Sequence, residues 1–408
     1  MLEEFLRANE RLEGNPLGSH LQALATCLVE DGYAEETIRS KLKLLADFGR
    51  WLARTGLTVA HLEEGHVSAF VKQRQQVRRG DPRTLEQFLE HLRKHAVIPD
   101  REPVRDQSPL ADILSRYEKH LRSERGLVTA TVLNYQPFIR RFLVDRFGEG
   151  PFLFGQINSS DISNFVLRHG PGMSVGRAQL MTTAFRSFFR YLFQGGELQT
   201  DLAAAVPTVA NWRLASVPKY LTSKQVKRVL KACNRHTAIG RRDYAILLLL
   251  ARLGLRASEV VALQLEDINW RAGEIIVRGK GLFHDRMPLP PDVGQALSTY
   301  LRRDRSRCQS RRVFICVRAP HRGLSGASTL TTIVRRALAR ANLRLTFKGA
   351  AHLFRHSLAT SMLHSGATMA EIGEVLRHRL PNTTEIYAKV DFEALRSLAH
   401  PWPIGGAQ

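Results

Sequence analysis

The sequence predicts a mainly α chain with a small β-sheet in its C-terminal part, an α+β architecture in which helical N-terminal domains precede a mixed C-terminal domain. Three observations predict it. Apolar residues fall near helical spacing through the first two hundred positions and in most of the rest of the 408 residues. Between 273 and 289 the pattern changes, and the run GEIIVRGKGLFHDRMPL reads as two strands around a turn at Gly279-Lys280-Gly281. Two polar, proline-containing stretches, 95–109 (HAVIPDREPVRDQSP) and 206–218 (VPTVANWRLASVP), read as linkers, so the domains are expected at 1–100, 106–206 and 215–400.

The first two pieces resemble each other. Thr37, Ile38, Leu45 and Phe48 match Thr131, Val132, Ile139 and Phe142 at an offset of 94. Leu62, Val67, Phe70 and Val71 match Ile157, Ile162, Phe165 and Val166 at an offset of 95. A near-constant offset with helical spacing in both copies points to a duplicated helical module. In the third piece the strongly apolar 242–252 reads as a helix, followed by a second at 258–265. After the hairpin, helices are expected at 328–341, 352–365 and 369–376, with a last one at 391–399.

Composition narrows the function. Apolar residues make up 44% of the chain, enough for each domain to bury a core, yet no stretch of 18 apolar residues offers a membrane span. The acidic start, MLEEFLRANERLEG, does not read as a secretory signal, so a soluble, cytoplasmic protein is expected. Cys27, Cys233, Cys308 and Cys316 form no C-x-x-C pair, so neither a zinc site nor a disulfide framework is suggested. Sixty Lys+Arg against 38 Asp+Glu leave a net charge of +22. A field of that sign attracts a polyanion, and double-stranded DNA is the expected partner, with the protein associated with the nucleoid. The densest basic run, Arg302, Arg303, Arg305, Arg307, Arg311 and Arg312, is a candidate DNA-contacting segment.

Exchange of a phosphodiester needs an in-line nucleophile, neutralisation of the non-bridging oxygens and a proton for the leaving oxygen. Guanidinium forks suit the second task and a lysine or histidine the third. The third piece offers such a set. Arg256 follows a glycine turn at a helix start, and Lys280 sits at the hairpin tip. His352 and Arg355 lie one helical turn apart, and His378 precedes Tyr387 by nine residues.

In this order and with these local sequences the set resembles the catalytic domain of the tyrosine recombinase (phage integrase) family. The matches are GLRxSE at 254–259, GKG at 279–281, HxxRHSxAT at 352–360, LxH at 376–378 and TTxIYxxV at 383–390. They cover about 215–400; the piece 106–206 looks like the family's core-site-binding domain on pattern alone. The resemblance implies that Tyr387 attacks the scissile phosphate to give a 3′-phosphotyrosine and a free 5′-hydroxyl. Arg256 and Arg355 would clamp the phosphate, Lys280 would protonate the leaving oxygen, and His352 and His378 would hydrogen-bond the phosphate or manage protons. Glu259 would buttress Arg256 or His352. It further implies no cofactor, with neither ATP nor metal required, and a tetramer on DNA in which the tail after Tyr387 docks on a neighbouring subunit through Phe392, Leu395 and Leu398. An accessory recombinase or host protein is a possible further partner, and 1–100 is an extra domain.

Three positions depart from the pattern. Leu353 stands where an acidic residue is usual, Arg377 where glycine is usual, and Phe283 where the hairpin commonly carries a basic residue. Two other readings stay open at this stage: a type IB topoisomerase using the same chemistry as a monomer, and a DNA-binding regulatory protein that has lost catalysis.

Overall fold

The computed structural model describes residues 15–100, 108–148, 150–210, 217–279, 284–343, 349–390 and Arg396. The chain forms two compact units, one comprising 101–215 and the other 1–100 together with 216–408. Among the described residues no helix is long and apolar enough to cross a membrane. The architecture is mostly helical with one small sheet, as the periodicity predicts.

Residues 15–98 build four helices: α1 (Gly18–Glu30), α2 (Glu35–Thr55), α3 (Glu64–Gln73) and α4 (Asp81–Lys94). The unit 101–215 also has four principal helices: α5 (Pro109–Lys119), α6 (Thr129–Phe147), α7 (Ser159–His169) and α8 (Val175–Gln194). In both copies a long second helix leads through a one-turn 3₁₀ segment, Val59–His61 or Phe154–Gln156, into a short third helix. That third helix opens with a reciprocal capping box, set by Glu63 and His66 in one copy and by Asn158 and Asp161 in the other. The repeated residues Ile38, Leu45, Phe48, Leu62, Val67 and Phe70 are buried, as are Val132, Ile139, Phe142, Ile157, Ile162 and Phe165. The periodic sequence match is therefore a match of core positions.

The C-terminal body starts with α9 (Ser223–Lys231), capped by Thr222, whose hydroxyl accepts from the Gln225 N–H. Next comes α10 (Ala238–Arg252), whose run Ala245–Leu250 is buried on every side, the signature of a central helix. It packs on α12 (Pro291–Arg303) and α14 (Ala350–His364). Helix α13 (Ala327–Arg340) completes this core. The sheet is antiparallel in the order β1 (Ile268–Asn269), β2 (Glu274–Arg278), β3 (His284–Pro288), with Ile275 opposite Met287 and Val277 opposite Asp285. The expected strand pair is present; the tip that joins it, with Lys280 and Phe283, lies outside the described residues.

The helix expected at 258–265 is shorter, ending as α11 at Ala257–Ala262. The reason is competition for its backbone. The Leu265 N–H donates to the Arg311 carbonyl at 3.0 Å and the Val313 N–H to the Leu263 carbonyl at 2.9 Å, so this stretch pairs with a neighbouring strand-like segment. Asp267 then accepts from the Gln264 N–H at 2.8 Å and turns the chain into β1. A smaller cluster formed by Ala359, Ile372, Leu376, Tyr387 and Val390 lies between α14, α15 (Met369–Val375) and the final 3₁₀ segment Glu385–Val390. The helix expected at 391–399 lies outside the described residues.

The core of 101–215 is aromatic. Phe188 is fully buried and meets Tyr117 edge-on at 5.1 Å, with Phe189 and Phe154 on its other sides. Phe188→Ala is expected to cost about 3–5 kcal/mol in the denaturant-induced unfolding of this unit, measured by tryptophan-independent circular dichroism on the full chain. A loss below about 1 kcal/mol would mean that the ring is not the keystone its contacts make it.

Candidate active site

The site is built where two loops converge on the N-terminal half of α14. The first is the turn Gly254-Leu255-Arg256. Gly254 sits at φ +56°, a left-handed conformation that glycine takes without strain. A Cβ there would also lie 2.8 Å from a Leu376 methyl and 3.0 Å from a Leu358 methyl. The turn delivers Arg256 to the N-cap of α11. Its own N–H donates to Glu259 Oε2 at 2.8 Å and its Nη1 to Glu259 Oε1 at 2.7 Å. Glu259 is 5% exposed, so this carboxylate exists in the interior only because cations surround it.

The second contributor is α14, which starts after Gly349 at φ +103°. Arg355, 3% exposed, reaches across the site. Its Nη1 donates to the Gly254 carbonyl at 2.6 Å and its Nη2 to the Leu376 carbonyl. One guanidinium thus pins the arginine turn to the loop that carries His378. Burial first, then the positive charges of Arg256 and Arg377, pulls the Arg355 pKa down to about 10. It remains charged at neutral pH.

The third contributor is the segment after α15. His378 Nδ1 is bonded to the Thr384 hydroxyl at 2.8 Å, and its ring lies parallel to that of Tyr387 at 6.4 Å. Tyr387 is 1% exposed. Its hydroxyl lies 3.0 Å from His356 Nδ1. Burial pushes the phenol up to about 12, opposed by Arg355. The histidines shift the other way. His356 and His378 are each pulled down to about 4, by burial first and then by His352 and Arg355 for the former and by Arg355 and Arg256 for the latter. His352 is lowered by desolvation and then by Arg355 and Arg256. At neutral pH the site holds three neutral histidines, a protonated phenol and a surplus of guanidinium charge. The arrangement can receive an anion, surround it with fixed N–H donors and present an oxygen nucleophile with a histidine partner.

The phage integrase family model matches residues 219–394. Integrase/recombinase y4rA of Sinorhizobium fredii is 44% identical over 96% of this chain and 96% of its own. Tyrosine recombinase XerD of Mycobacterium tuberculosis is 31% identical over 72% of this chain and 98% of its own. Among solved structures, a lambda integrase tetramer bound to a Holliday junction shares the fold at 18% identity and a TM-score of 0.52, over 74% of this chain and 86% of that one. The chain belongs to the phage integrase family of tyrosine recombinases. It is accordingly an enzyme that cleaves and rejoins DNA.

Of the residues that the sequence singles out in this recombinase, Arg256, Glu259, His352, Arg355, His378 and Tyr387 come together around one pocket. Lys280 lies outside the described residues. The arginine run is a different matter. Arg305 donates to the carbonyls of Ser310 and Arg312, Arg311 pairs with Glu266, and Arg312 donates to the Ala262 carbonyl. These three secure their own loop; Arg302, Arg303 and Arg307 stay exposed. None of the contacts just named involves the catalytic set.

Two site residues escaped the sequence reading. His356, adjacent to Arg355, is the hydrogen-bond partner of Tyr387, and the only sequence signal was its place inside HxxRHSxAT. Arg377 occupies φ +57°, which costs a side-chain-bearing residue roughly 1–2 kcal/mol and explains why glycine suits this position. Here the arginine is held by its contacts. Its Nη2 donates to Glu259 Oε2 at 2.8 Å and its Nε lies 3.8 Å from Asp285 on β3. Nη1 also touches the Met287 sulfur. Arg377 ties the lysine-bearing hairpin to the carboxylate behind Arg256.

Arg377→Gly should therefore keep the fold, because glycine accepts the backbone conformation, while freeing β3. Amide hydrogen exchange across 284–288 should accelerate, with no change in α10. Unchanged protection of β3 would refute the tie.

The histidines set a pH dependence. Their folded pKa values lie below the unfolded value near 6.5. Below pH 6.5 the unfolded chain takes up protons that the folded chain refuses, so stability falls as pH drops from about 6.5 towards 4. Urea titrations across this range should show the decline, reduced in His356→Gln. A flat profile would contradict the neutral cluster.

Proposed function

We propose that this recombinase performs site-specific strand exchange through a covalent 3′-phosphotyrosine at Tyr387. The observation that carries the reading is the charge balance of the site: Arg256 and Arg377 share the carboxylate of Glu259, and Arg355, bonded to two carbonyls, stands with them beside a buried phenol. A scissile phosphate supplies the missing negative charge.

In the step proposed, Tyr387 Oη bonds to phosphorus as the phosphorus–O5′ bond breaks. The phenol proton passes to a neighbouring histidine, His356 being in contact with it, and Lys280 gives a proton to the departing O5′. Arg256 and Arg355 hold the non-bridging oxygens, with His352 and His378 adding hydrogen bonds. Arrival of the phosphate raises the histidine pKa values and so makes each a better base. The phosphotyrosine conserves the bond energy, so rejoining needs no ATP, and guanidiniums supply the charge that a metal would otherwise bring. In the DNA-free state Tyr387 is enclosed and protonated, so cleavage requires that its surroundings open.

The rest of the chain fits this role. Residues 106–206 serve as the core-site DNA-binding domain, 215–400 as the catalytic domain and 1–100 as an additional helical domain. Strand exchange uses four active sites, and the lambda integrase tetramer on a junction is the kind of assembly expected, with 391–399 docking on a neighbour. Double-stranded DNA is the partner, the net charge of +22 the source of attraction. A mobile-element setting and nucleoid association are consistent with these properties.

A nicked suicide substrate tests the reading. Wild-type protein should accumulate a covalent adduct. Tyr387→Phe should bind the same DNA but give none, and Arg355→Ala should form it at least about 100-fold more slowly, the scale of losing a preorganised donor. Covalent adduct in Tyr387→Phe would place the nucleophile elsewhere.

A further inference from the structure

We propose that Cys27, His91 and His95 bind a zinc ion in the N-terminal helical domain. The proposal does not depend on the recombination chemistry. Cys27 lies in the last turn of α1, His91 in the last turn of α4 and His95 at its C-cap. His91 and His95 stand four residues apart and so share one helix face. Their rings are in contact, with centroids 4.5 Å apart and planes tilted by 56°. One ligand atom from each of the three residues falls within 4.8 Å of the others. In a tetrahedral zinc site with Zn–S near 2.3 Å and Zn–N near 2.0 Å, ligand atoms stand roughly 3.3–3.6 Å apart. The His95 side chain is exposed and so has room to turn towards the other two ligands.

The donor set also selects the metal. One thiolate with two imidazoles is a borderline-soft combination that suits zinc over magnesium or calcium. Binding would release the Cys27 proton to solvent and leave the fourth position to water or to a side chain nearby. Cys27 and His91 border a cleft of about 370 Å³ whose lining also carries Glu30, Asp31 and Glu90 against Lys94 and Arg322.

The place of the site gives it a purpose. Helix α1 ends at Glu30, and the next residues carry the domain's contact with the C-terminal body. The His321 N–H donates to the Asp31 carbonyl at 2.9 Å. The His321 ring also lies so close to Gly32 that a Cβ there would come within 2.0 Å of it. A metal fastening α1 to α4 would fix the edge on which the His321 loop docks. No short cysteine-histidine spacing announces it, because the ligands come from helices distant in sequence.

Tag-free full-length protein, stripped with chelator and titrated with cobalt(II) and then zinc, tests this. About one equivalent per chain is expected, with a thiolate-to-cobalt charge-transfer band and the visible bands of four-coordinate cobalt, bleached by zinc. Cys27→Ser should lose the charge-transfer band, and His91→Gln and His95→Gln should each weaken binding at least about 10-fold. Cys308→Ser, at the same cleft, should bind as wild type. Chelator should lower the melting temperature of wild type and not that of Cys27→Ser. His95 is exposed, so His95→Gln retains the fold and keeps the test valid should the other variants misfold. Absence of stoichiometric metal, a charge-transfer band surviving in Cys27→Ser, or its loss in Cys308→Ser would each overturn the assignment.

Discussion

The catalytic half of the molecule depends on one buried carboxylate. Glu259 accepts from the backbone and side chain of Arg256 and from Arg377, and it is the counter-charge that permits both guanidiniums beside Arg355. An ionised carboxylate in the interior is costly without charge-assisted donors. The converse matters equally here, since three guanidiniums in one pocket repel each other without it. Removing Glu259 would leave Arg256 without the partner that fixes its rotamer and Arg377 stranded in a conformation it adopts only because its contacts hold it there. The carboxylate therefore holds Arg256 in place and, through Arg377 and Asp285, ties β3 to the same site.

That organisation leaves the pocket deliberately unbalanced. Burial first, and then the neighbouring positive charge, depresses the three histidine pKa values and that of Arg355, while burial raises that of Tyr387. An anion in this site would lessen the repulsion among the guanidiniums and raise the histidine pKa values together. Arg355 adds a mechanical link, since its bonds to the carbonyls of Gly254 and Leu376 join the loops on which Arg256 and His378 stand.

Much of this was legible in the sequence because the chemistry fixes residue types at fixed intervals. Arg256, Glu259, His352, Arg355, His378 and Tyr387 could be named from local motifs, and the strand pair from its alternation. What the sequence concealed was partnership across distance. Arg377 read only as a departure from glycine; that it bridges Glu259 and Asp285 depends on the segment after α15 lying beside β3. His356 read as part of a motif, because nothing local says that it meets a residue 31 positions later. The arginine run looked like a DNA-binding surface, yet half of it bonds to nearby carbonyls and to Glu266, a use that composition cannot distinguish from phosphate contact. The shortened α11 has the same origin: helical periodicity at 263–265 lost to backbone pairing with 311–313.

The duplicated helical module shows how one architecture can be stabilised in two ways. A domain of this size buries a limited share of its surface and is marginal by itself. The copy in 101–215 answers with aromatic mass: Phe142, Phe165, Phe185, Phe188 and Phe189 contact one another in a continuous network. It forms a unit of its own. The copy in 15–98 has a smaller aromatic set around Phe48, Trp51 and Phe70, and it belongs to the same compact unit as the C-terminal body. Its extra support comes from the edge at Asp31 and Gly32 that His321 occupies, and the cysteine-histidine cluster stands beside that edge. The second piece is held by its own aromatic core, and the first shares a compact unit with the C-terminal body.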